Sequence, residues 1–309
     1  MRRIIWAAAA LALAAPVHAQ EVERISGRDV AIYNLAGRVE IVRGSGSEVT
    51  VRIDRGGRDA SQLRVETGEI RGRSTLRVVY PDNEIVYPEM GRGSNTSLSV
   101  RDDGTFSDGN GGRGDRVRIR GRGDGLEAWA DLVIEVPAGR SVDVNLAVGE
   151  VEADGVEADL SIDTGSGAVT ALDIVGSLSI DTGSGSVLVR GVDGDLVVDT
   201  GSGRVEVSDV RGREIEIDTG SGGVRGYGLS AESLGVDTGS GSIELESVSA
   251  PEVLLDTGSG SIDIEILTDI ERLDADTGSG SITVRAPAGL GATVDIETGS
   301  GGIDLDFPV

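Results

Sequence analysis

The sequence Asp-Thr-Gly-Ser-Gly occurs seven times in this chain, beginning at Asp163, Asp181, Asp199, Asp218, Asp237, Asp256 and Asp276. An eighth copy, Glu-Thr-Gly-Ser-Gly, begins at Glu297, and a degenerate copy, Asn-Leu-Ala-Val-Gly, begins at Asn145. Successive copies start 18 to 21 residues apart. Self-similarity at a nearly fixed period of this length is the sequence signature of a repeat architecture.

Aliphatic residues alternate with polar ones on both sides of each copy. Around Asp181 the aliphatic positions are Leu178, Ile180, Val187 and Val189, and the following copies repeat this spacing. Period-two alternation of this kind, interrupted by glycine-rich turns, predicts half-buried β-strands. A single repeat cannot bury its own aliphatic residues, whereas stacked repeats can. The predicted fold is therefore all-β, a single-stranded β-helix-like solenoid of 18–21-residue repeats.

An antiparallel meander is the architectural alternative, with each glycine turn acting as a hairpin loop. Sixteen strands with one apolar face would then need a second layer to cover that face. No segment of the chain shows the helical periodicity that would supply such a layer. The solenoid, which covers its own interior, is the favoured interpretation.

The chain divides into four predicted segments. Residues 1–19 combine a basic start, a short apolar run and a small-x-small ending, as in a secretory signal peptide of the Sec type. Residues 20–88 contain less regular alternating strands and are expected to be irregular coils that cap the solenoid. Residues 89–125 are rich in Gly, Arg and Asp and are expected to be a flexible insertion. Residues 126–309 are expected to form the regular solenoid.

The predicted signal peptide determines the expected location. Its apolar run is too short to span a bilayer, and no cysteine follows the expected cleavage after Ala19. The mature chain is therefore expected to lack a transmembrane segment and to be periplasmic or extracellular.

The composition of the mature chain excludes most enzyme chemistry. After residue 19 the sequence contains no Cys, no His and no Lys. Thiolate metal sites, cysteine nucleophiles and the usual bases that activate a serine are therefore absent. Any catalysis would have to use carboxylates, and we expect a protein that is not an enzyme and needs no cofactor.

Charge is distributed unevenly along the mature chain. Residues 20–140 carry 19 Arg and 20 acidic residues, whereas residues 141–309 carry 7 Arg and 33 acidic residues. An acidic surface of this kind disfavours nucleic acid as a partner. It favours cations, or it keeps an exposed β-protein soluble.

The role of the repeated aspartate has three interpretations. As a turn cap, Asp would accept hydrogen bonds from backbone N–H groups two or three residues on, while the glycines adopt positive φ. As a ladder with a spacing of about 4.8 Å, the carboxylates would repel one another and could collect Ca²⁺. If the chain were an aspartic protease, two Asp-Thr-Gly loops would have to face each other, whereas stacked repeats lie side by side. Turn caps are favoured, with Ca²⁺ as an alternative.

A carboxylate-based enzyme acting on polysaccharides is a further alternative. Outward positions such as Glu206, Glu216 and Glu244 could supply a pair of catalytic carboxylates on a β-helix. The repeats lack the long loops and the basic or aromatic residues that hold sugar chains. This alternative is therefore less favoured than a binding or scaffold protein.

The chain resembles a bacterial putative-adhesin family of unknown function, which is related to the toast-rack repeat domains of envelope-stress proteins. The resemblance rests on the signal peptide, the Val136-Pro-Ala-Gly139 phrase and the repeated Thr-Gly-Ser-Gly turns followed by Val or Ile. It implies an exported, non-enzymatic β-repeat protein. It supplies no catalytic residues. Separately, the partner of the chain is expected to be an unidentified envelope or surface molecule.

Overall fold

The computed structural model describes residues 21–106, 114–287 and 291–306, which form an almost purely β structure. The helical elements within these ranges are two three-residue 3-10 turns, Ala60–Gln62 and Pro88–Met90. The signal peptide predicted at residues 1–19 lies outside the described residues. Within these ranges, no helix has the length and apolar character needed to cross a membrane.

The strands are numbered in chain order. Those before the regular repeats are β1 (Glu21–Ile25), β2 (Asp29–Ala36), β3 (Val39–Arg43), β4 (Val49–Gly56), β5 (Arg64–Ile70), β6 (Arg73–Val79), β7 (Glu84–Val86), β8 (Asn95–Val100), β9 (Asp115–Arg120), β10 (Leu126–Glu127) and β11 (Trp129–Val136). The repeats contribute β12 (Ser141–Val148), β13 (Val151–Asp154), β14 (Asp159–Ser166), β15 (Val169–Val175), β16 (Leu178–Thr182), β17 (Val187–Asp193), β18 (Leu196–Thr200), β19 (Val205–Arg211), β20 (Glu214–Thr219), β21 (Val224–Ser230), β22 (Ser233–Thr238), β23 (Ile243–Val248), β24 (Glu252–Thr257), β25 (Ile262–Ile266), β26 (Arg272–Thr277), β27 (Ile282–Arg285), β28 (Thr293–Thr298) and β29 (Ile303–Asp306).

The repeats form two long parallel sheets. The even-numbered strands from β12 to β28 pair in sequence order in one sheet, which we call the ladder sheet. The odd-numbered strands from β13 to β29 pair in the same way in the second sheet. Each repeat therefore supplies one strand to each sheet, giving a β-solenoid of about 9 turns. The predicted solenoid is confirmed, because an antiparallel meander would pair consecutive strands.

The core lies between the two sheets and is aliphatic. In the coil around Asp199, the side chains of Leu196, Val198, Val205 and Val207 are at most 3% exposed. Parallel pairing places residues of equal position side by side in successive coils, so these aliphatic residues form continuous columns. The inward positions derived from the alternation of the sequence are therefore confirmed.

The stack begins earlier in the sequence than the regular repeats. Strand β2 pairs in parallel with β12, and β3 pairs in parallel with β13. Residues 29–43 are therefore a coil of the solenoid inside the segment expected to be irregular. Antiparallel strands β1, β4 and β5 cover this end. Strand β11 lies between β3 and β4, so residue 126 does not mark a boundary between two stacks.

The segment expected to be a flexible insertion contains two strands. Strands β8 and β9 join β7 and β10 in a small four-stranded sheet near the N-terminal end of the solenoid. Val117 and Ile119 on β9 are buried and pack in a cluster with Ile85 and Tyr87. The composition of residues 89–125 concealed this strand because its buried residues alternate with arginines. Residues 107–113 of the segment lie outside the described residues.

Candidate binding surface on the aspartate ladder

The repeated acidic residues lie side by side on the ladder sheet. We call this row the aspartate ladder: Asp163, Asp181, Asp199, Asp218, Asp237, Asp256, Asp276 and Glu297. Each member is paired in register with the next, and Asn145 of the degenerate copy is paired with Asp163. The neighbouring strands of a sheet are about 4.8 Å apart. One sheet surface therefore carries a carboxylate in each coil from Asp163 to Glu297.

The carboxylates of the aspartate ladder affect one another. The pKa of Asp218 is raised by partial burial, and the charges of Asp199 and Asp237 raise it further. The pKa of Asp256 is raised for the same reasons, with Asp237 and Asp276 as the neighbouring charges. Protonation or a cation would relieve this repulsion. Among the described residues, however, no three acidic side chains converge to hold a metal ion.

Threonine side chains cap four of the glycine turns that the structure describes. Gly222 N donates to Thr219 Oγ1 at 3.0 Å, and Gly241 N donates to Thr238 Oγ1 at 3.0 Å. The same cap is made by Thr200 and Thr257 in their own turns. Asp218 and Asp237 precede these threonines on the exposed side of the strand. In these turns alternation directs the threonine inward and the aspartate outward, and the aspartate caps stay a prediction.

The same threonines also connect successive coils. Thr238 Oγ1 donates to Gly222 O at 2.8 Å, and Thr257 Oγ1 donates to Gly241 O at 2.8 Å. Each hydroxyl therefore accepts a bond within its own turn and donates one to the preceding coil. The threonine side chains at these positions are 0% exposed. The threonine recurs in every copy from residue 164 to residue 298, and this recurrence is the sequence signal for its role.

The glycines of the motif are required by close backbone packing. A Cβ atom on Gly203 would lie 1.6 Å from the carbonyl oxygen of Gly185, and one on Gly201 would lie 2.6 Å from that of Gly183. Neither Gly201 nor Gly203 has φ in the left-handed region. The predicted reason for these glycines, a positive φ, is therefore wrong, although Gly149 of the degenerate copy does have a φ of +139°.

A shallow groove of about 400 Å³ lies beside the aspartate ladder. Its floor is at Gly235, where a Cβ atom would meet nothing within 4 Å. Glu216 and Leu254 flank Gly235 on the neighbouring strands, and Leu254 is 43% exposed. Asp218, Asp237 and Asp256 form the adjacent row of the groove wall. Gly235 stands at an outward position where the neighbouring coils have the larger residues Glu216 and Leu254. This difference in residue size was the sequence signal for the groove.

The three glutamates considered for catalysis do not form one site. Glu216 lies on the ladder sheet, whereas Glu206 and Glu244 lie on the second sheet. Arg225 is paired between Glu206 and Glu244, and its Nε lies 2.7 Å from Glu244 Oε2. These two glutamates are therefore separated by an arginine on an open surface.

The C-terminal part of the chain is similar to a known protein family. Residues 176–309 match the family described as Toastrack DUF4097. No curated protein matches the chain at a significant level.

Two solved structures are similar over most of the chain. A putative adhesin from Parabacteroides merdae ATCC 43184 has 12% identity and a TM-score of 0.36, covering 94% of this chain and 96% of its own. A putative cell adhesion protein from Clostridium sporogenes ATCC 15579 has 10% identity and a TM-score of 0.26, covering 94% and 99%. Scores this low carry no argument about function. The match over residues 176–309 shows that this part of the chain is similar to the family described as Toastrack DUF4097, and it agrees with the solenoid seen here.

Proposed function

We propose that this chain is an exported, non-enzymatic β-repeat protein of the cell envelope, acting as an adhesin-like or scaffold protein. Its binding surface is the outer face of the ladder sheet. The observation that carries the proposal is the register of the aspartate ladder, which repeats an exposed carboxylate in successive coils from Asp181 to Glu297. A repeated surface can hold an extended partner through many weak contacts acting together.

The arrangement of the polar groups supports a binding role over a catalytic one. The hydroxyls of Thr219, Thr238 and Thr257 are buried and engaged in turn caps and inter-coil bonds. The carboxylates form an open row, and the aspartates of successive turns stack beside one another. Proton sharing between two facing carboxylates, as in aspartic proteases, requires a different geometry.

Charge indicates the chemistry of the partner. The described groove combines the carboxylates of Asp218, Asp237 and Asp256 with the exposed side chain of Leu254. Such a surface is complementary to a cationic segment that also carries apolar groups. Since electrostatic attraction between exposed groups is screened by salt, this binding should weaken as ionic strength rises.

A cell-binding assay with matched charge variants tests the proposal. The purified mature chain, fluorescently labelled, would be titrated onto intact bacterial cells. We expect Asp218→Asn, Asp237→Asn and Asp256→Asn, combined in one variant, to weaken binding by about tenfold or more. The control combines Glu206→Gln, Glu244→Gln and Asp263→Asn on the second sheet, which removes the same charge and should preserve binding. Equal binding by all three proteins would refute the proposed surface.

Export is tested separately by fractionation of a host that produces the full chain. We expect the protein outside the cytoplasm when residues 1–19 are present and inside it when they are deleted. Cytoplasmic accumulation of the full chain would contradict the proposed location without affecting the proposed binding surface.

A calcium-binding solenoid is a second candidate, favoured by the in-register row of carboxylates in the aspartate ladder. A cation bound to the folded state raises apparent stability by mass action. Thermal unfolding followed by circular dichroism, in EDTA and in millimolar Ca²⁺, distinguishes the two candidates. A large rise in melting temperature with Ca²⁺ would establish the ladder as a cation site. An unchanged melting temperature would leave the carboxylates available to a cationic partner.

A further inference from the structure

A row of arginines lies on the small sheet near the N-terminal end of the solenoid. Along β9, Val117 and Ile119 face the core, so the alternate residues Arg116, Arg118 and Arg120 face outward. Consecutive outward residues of a strand are about 6.8 Å apart. This row is positively charged, whereas the aspartate ladder of the same chain is negatively charged.

A groove of about 390 Å³ lies beside this row, and we call it the arginine groove. It is lined by Gly93, Ser94, Asn95, Arg118, Arg120 and Arg122. Arg122 continues the row beyond the end of β9. The groove therefore combines three guanidinium groups with the hydroxyl of Ser94 and the side-chain amide of Asn95.

The wall of the arginine groove is held in place by the backbone. Gly121 N donates to Ser94 O at 3.1 Å. A Cβ atom on Gly121 would lie 1.8 Å from the carbonyl oxygen of Gly91, so the two segments are in direct contact. Asn95 is paired with Arg120 across β8 and β9. The backbone walls of the groove are therefore held in place before any ligand arrives, which lowers the entropic cost of binding.

The positive charge of the arginine groove is only partly neutralised. Arg118 Nη1 lies 3.2 Å from Glu84 Oε1, and Arg120 Nη2 lies 3.0 Å from Glu84 Oε2. Within the described residues, Glu84 is the one carboxylate that forms ion pairs with the arginines of the groove. One acid is thus shared by two arginines, and Arg122 adds a third positive charge. Glu84 orients the guanidinium groups without cancelling their attraction for an anion.

We infer that the arginine groove binds a sugar that carries a phosphate or carboxylate group. Guanidinium groups bind both oxyanions through paired hydrogen bonds, which a neutral sugar cannot accept with the same strength. Ser94 and Asn95 supply a hydroxyl and an amide that match the hydrogen-bonding groups of sugar hydroxyls. Because the chain as a whole carries a net charge of −25, general electrostatics oppose anion binding, and a bound anion indicates a local site.

Isothermal titration of the mature chain with three probes tests this inference. The probes are glucose 6-phosphate, tri-galacturonic acid and, as the neutral control, glucose. We expect binding of at least one anionic probe and no measurable binding of glucose. Preference for the trimer over the monosaccharide would indicate a polymeric carboxylated source, whereas preference for glucose 6-phosphate would indicate a phosphorylated one; binding of neither anionic probe would overturn the inference.

Three substitutions locate the site. Arg118→Ser and Arg122→Ser should each weaken binding of the preferred probe by about tenfold. Glu84→Gln removes the carboxylate that competes with the probe for Arg118 and Arg120, and it should strengthen binding. This variant still tests the inference if an arginine variant unfolds. Arg204→Ser is the matched control, since Arg204 is an exposed arginine on the solenoid. Equal weakening by Arg204→Ser would overturn the assignment of the groove.

A second copy of the chain is the competing occupant, because its aspartate ladder is also anionic. Sedimentation velocity at low and high salt distinguishes this outcome. The inference predicts a monomer across the concentrations used for the titrations. The sugar assignment would be overturned if the wild type self-associated but bound no probe, and if Arg118→Ser and Arg122→Ser abolished the self-association.

Discussion

Gly203 illustrates why one residue type recurs at the end of every motif. A Cβ atom at this position would lie 1.6 Å from a backbone carbonyl oxygen of the preceding coil, and backbone cannot move aside cheaply. We predict that Gly203→Ala lowers the free energy of unfolding by about 3 kcal/mol or more. Gly235→Ala is the matched control, since its Cβ would meet nothing within 4 Å and should change stability by less than about 1 kcal/mol. Urea denaturation compares them, and equal midpoints would refute the packing argument.

Thr238 makes two hydrogen bonds with one buried hydroxyl. It accepts from Gly241 N at 3.0 Å and donates to Gly222 O at 2.8 Å. Thr238→Val keeps the shape of the side chain but leaves both backbone groups without this partner. We predict a loss of about 2–4 kcal/mol in the free energy of unfolding, measured by urea denaturation.

The control for this substitution is Thr170→Val. Thr170 is half-buried on the outer face of β15, where a β-branched residue without a hydroxyl suits a strand. We expect a change below about 1 kcal/mol. If Thr238→Val were equally mild, the threonine column would not hold the coils together.

At the scale of the element, the ladder sheet places like charges in register. The pKa of Asp218 is raised in the folded state, so folded protein binds the proton more tightly than the unfolded chain does. The ionised carboxylate is therefore destabilising above the raised pKa. This destabilisation disappears as the pH falls below the unfolded value of 3.8.

Asp218→Asn should consequently raise the melting temperature at pH 7, by up to about 3 °C, because the site is largely exposed to solvent. The gain should vanish when unfolding is measured below pH 3.8. Glu206→Gln on the second sheet is the control, since Arg204 lies 3.8 Å away and its charge is favourable. A gain for Asp218→Asn that persisted at low pH would show that repulsion is not its cause.

The sequence was sufficient to predict the strands but not the contacts between coils. Period and alternation located the inward positions such as Val205, because burial in a sheet depends on which face a residue occupies. The cap could not be assigned to Thr238 over Asp237, since both side chains can bond a nearby N–H and only the three-dimensional face decides. Strand β9 was missed because arginines occupy its outward positions.

At the scale of the whole molecule, stability should depend on position along the stack. Each coil contacts its two neighbours, so a central coil supports interfaces on both sides and a terminal coil on one. Val205 in β19 is 0% exposed, whereas Val294, which occupies an inward column of the ladder sheet in its last described strand, is 37% exposed. The same substitution at these two sites should therefore have unequal effects.

We predict that Val205→Asp lowers the free energy of unfolding by about 4 kcal/mol or more, because a carboxyl group would be buried without a partner. Val294→Asp should cost less than about 1 kcal/mol, because its side chain already reaches solvent. Thermal unfolding followed by circular dichroism compares both variants with the wild type, and hydrogen exchange shows which coils open. Protection should be lost on both sides of β19 in the first variant and only near β28 in the second. If Val205→Asp unfolded at the wild-type temperature, the stacked aliphatic columns could not be the source of stability, and the coils would have to be held mainly by their backbone and threonine hydrogen bonds.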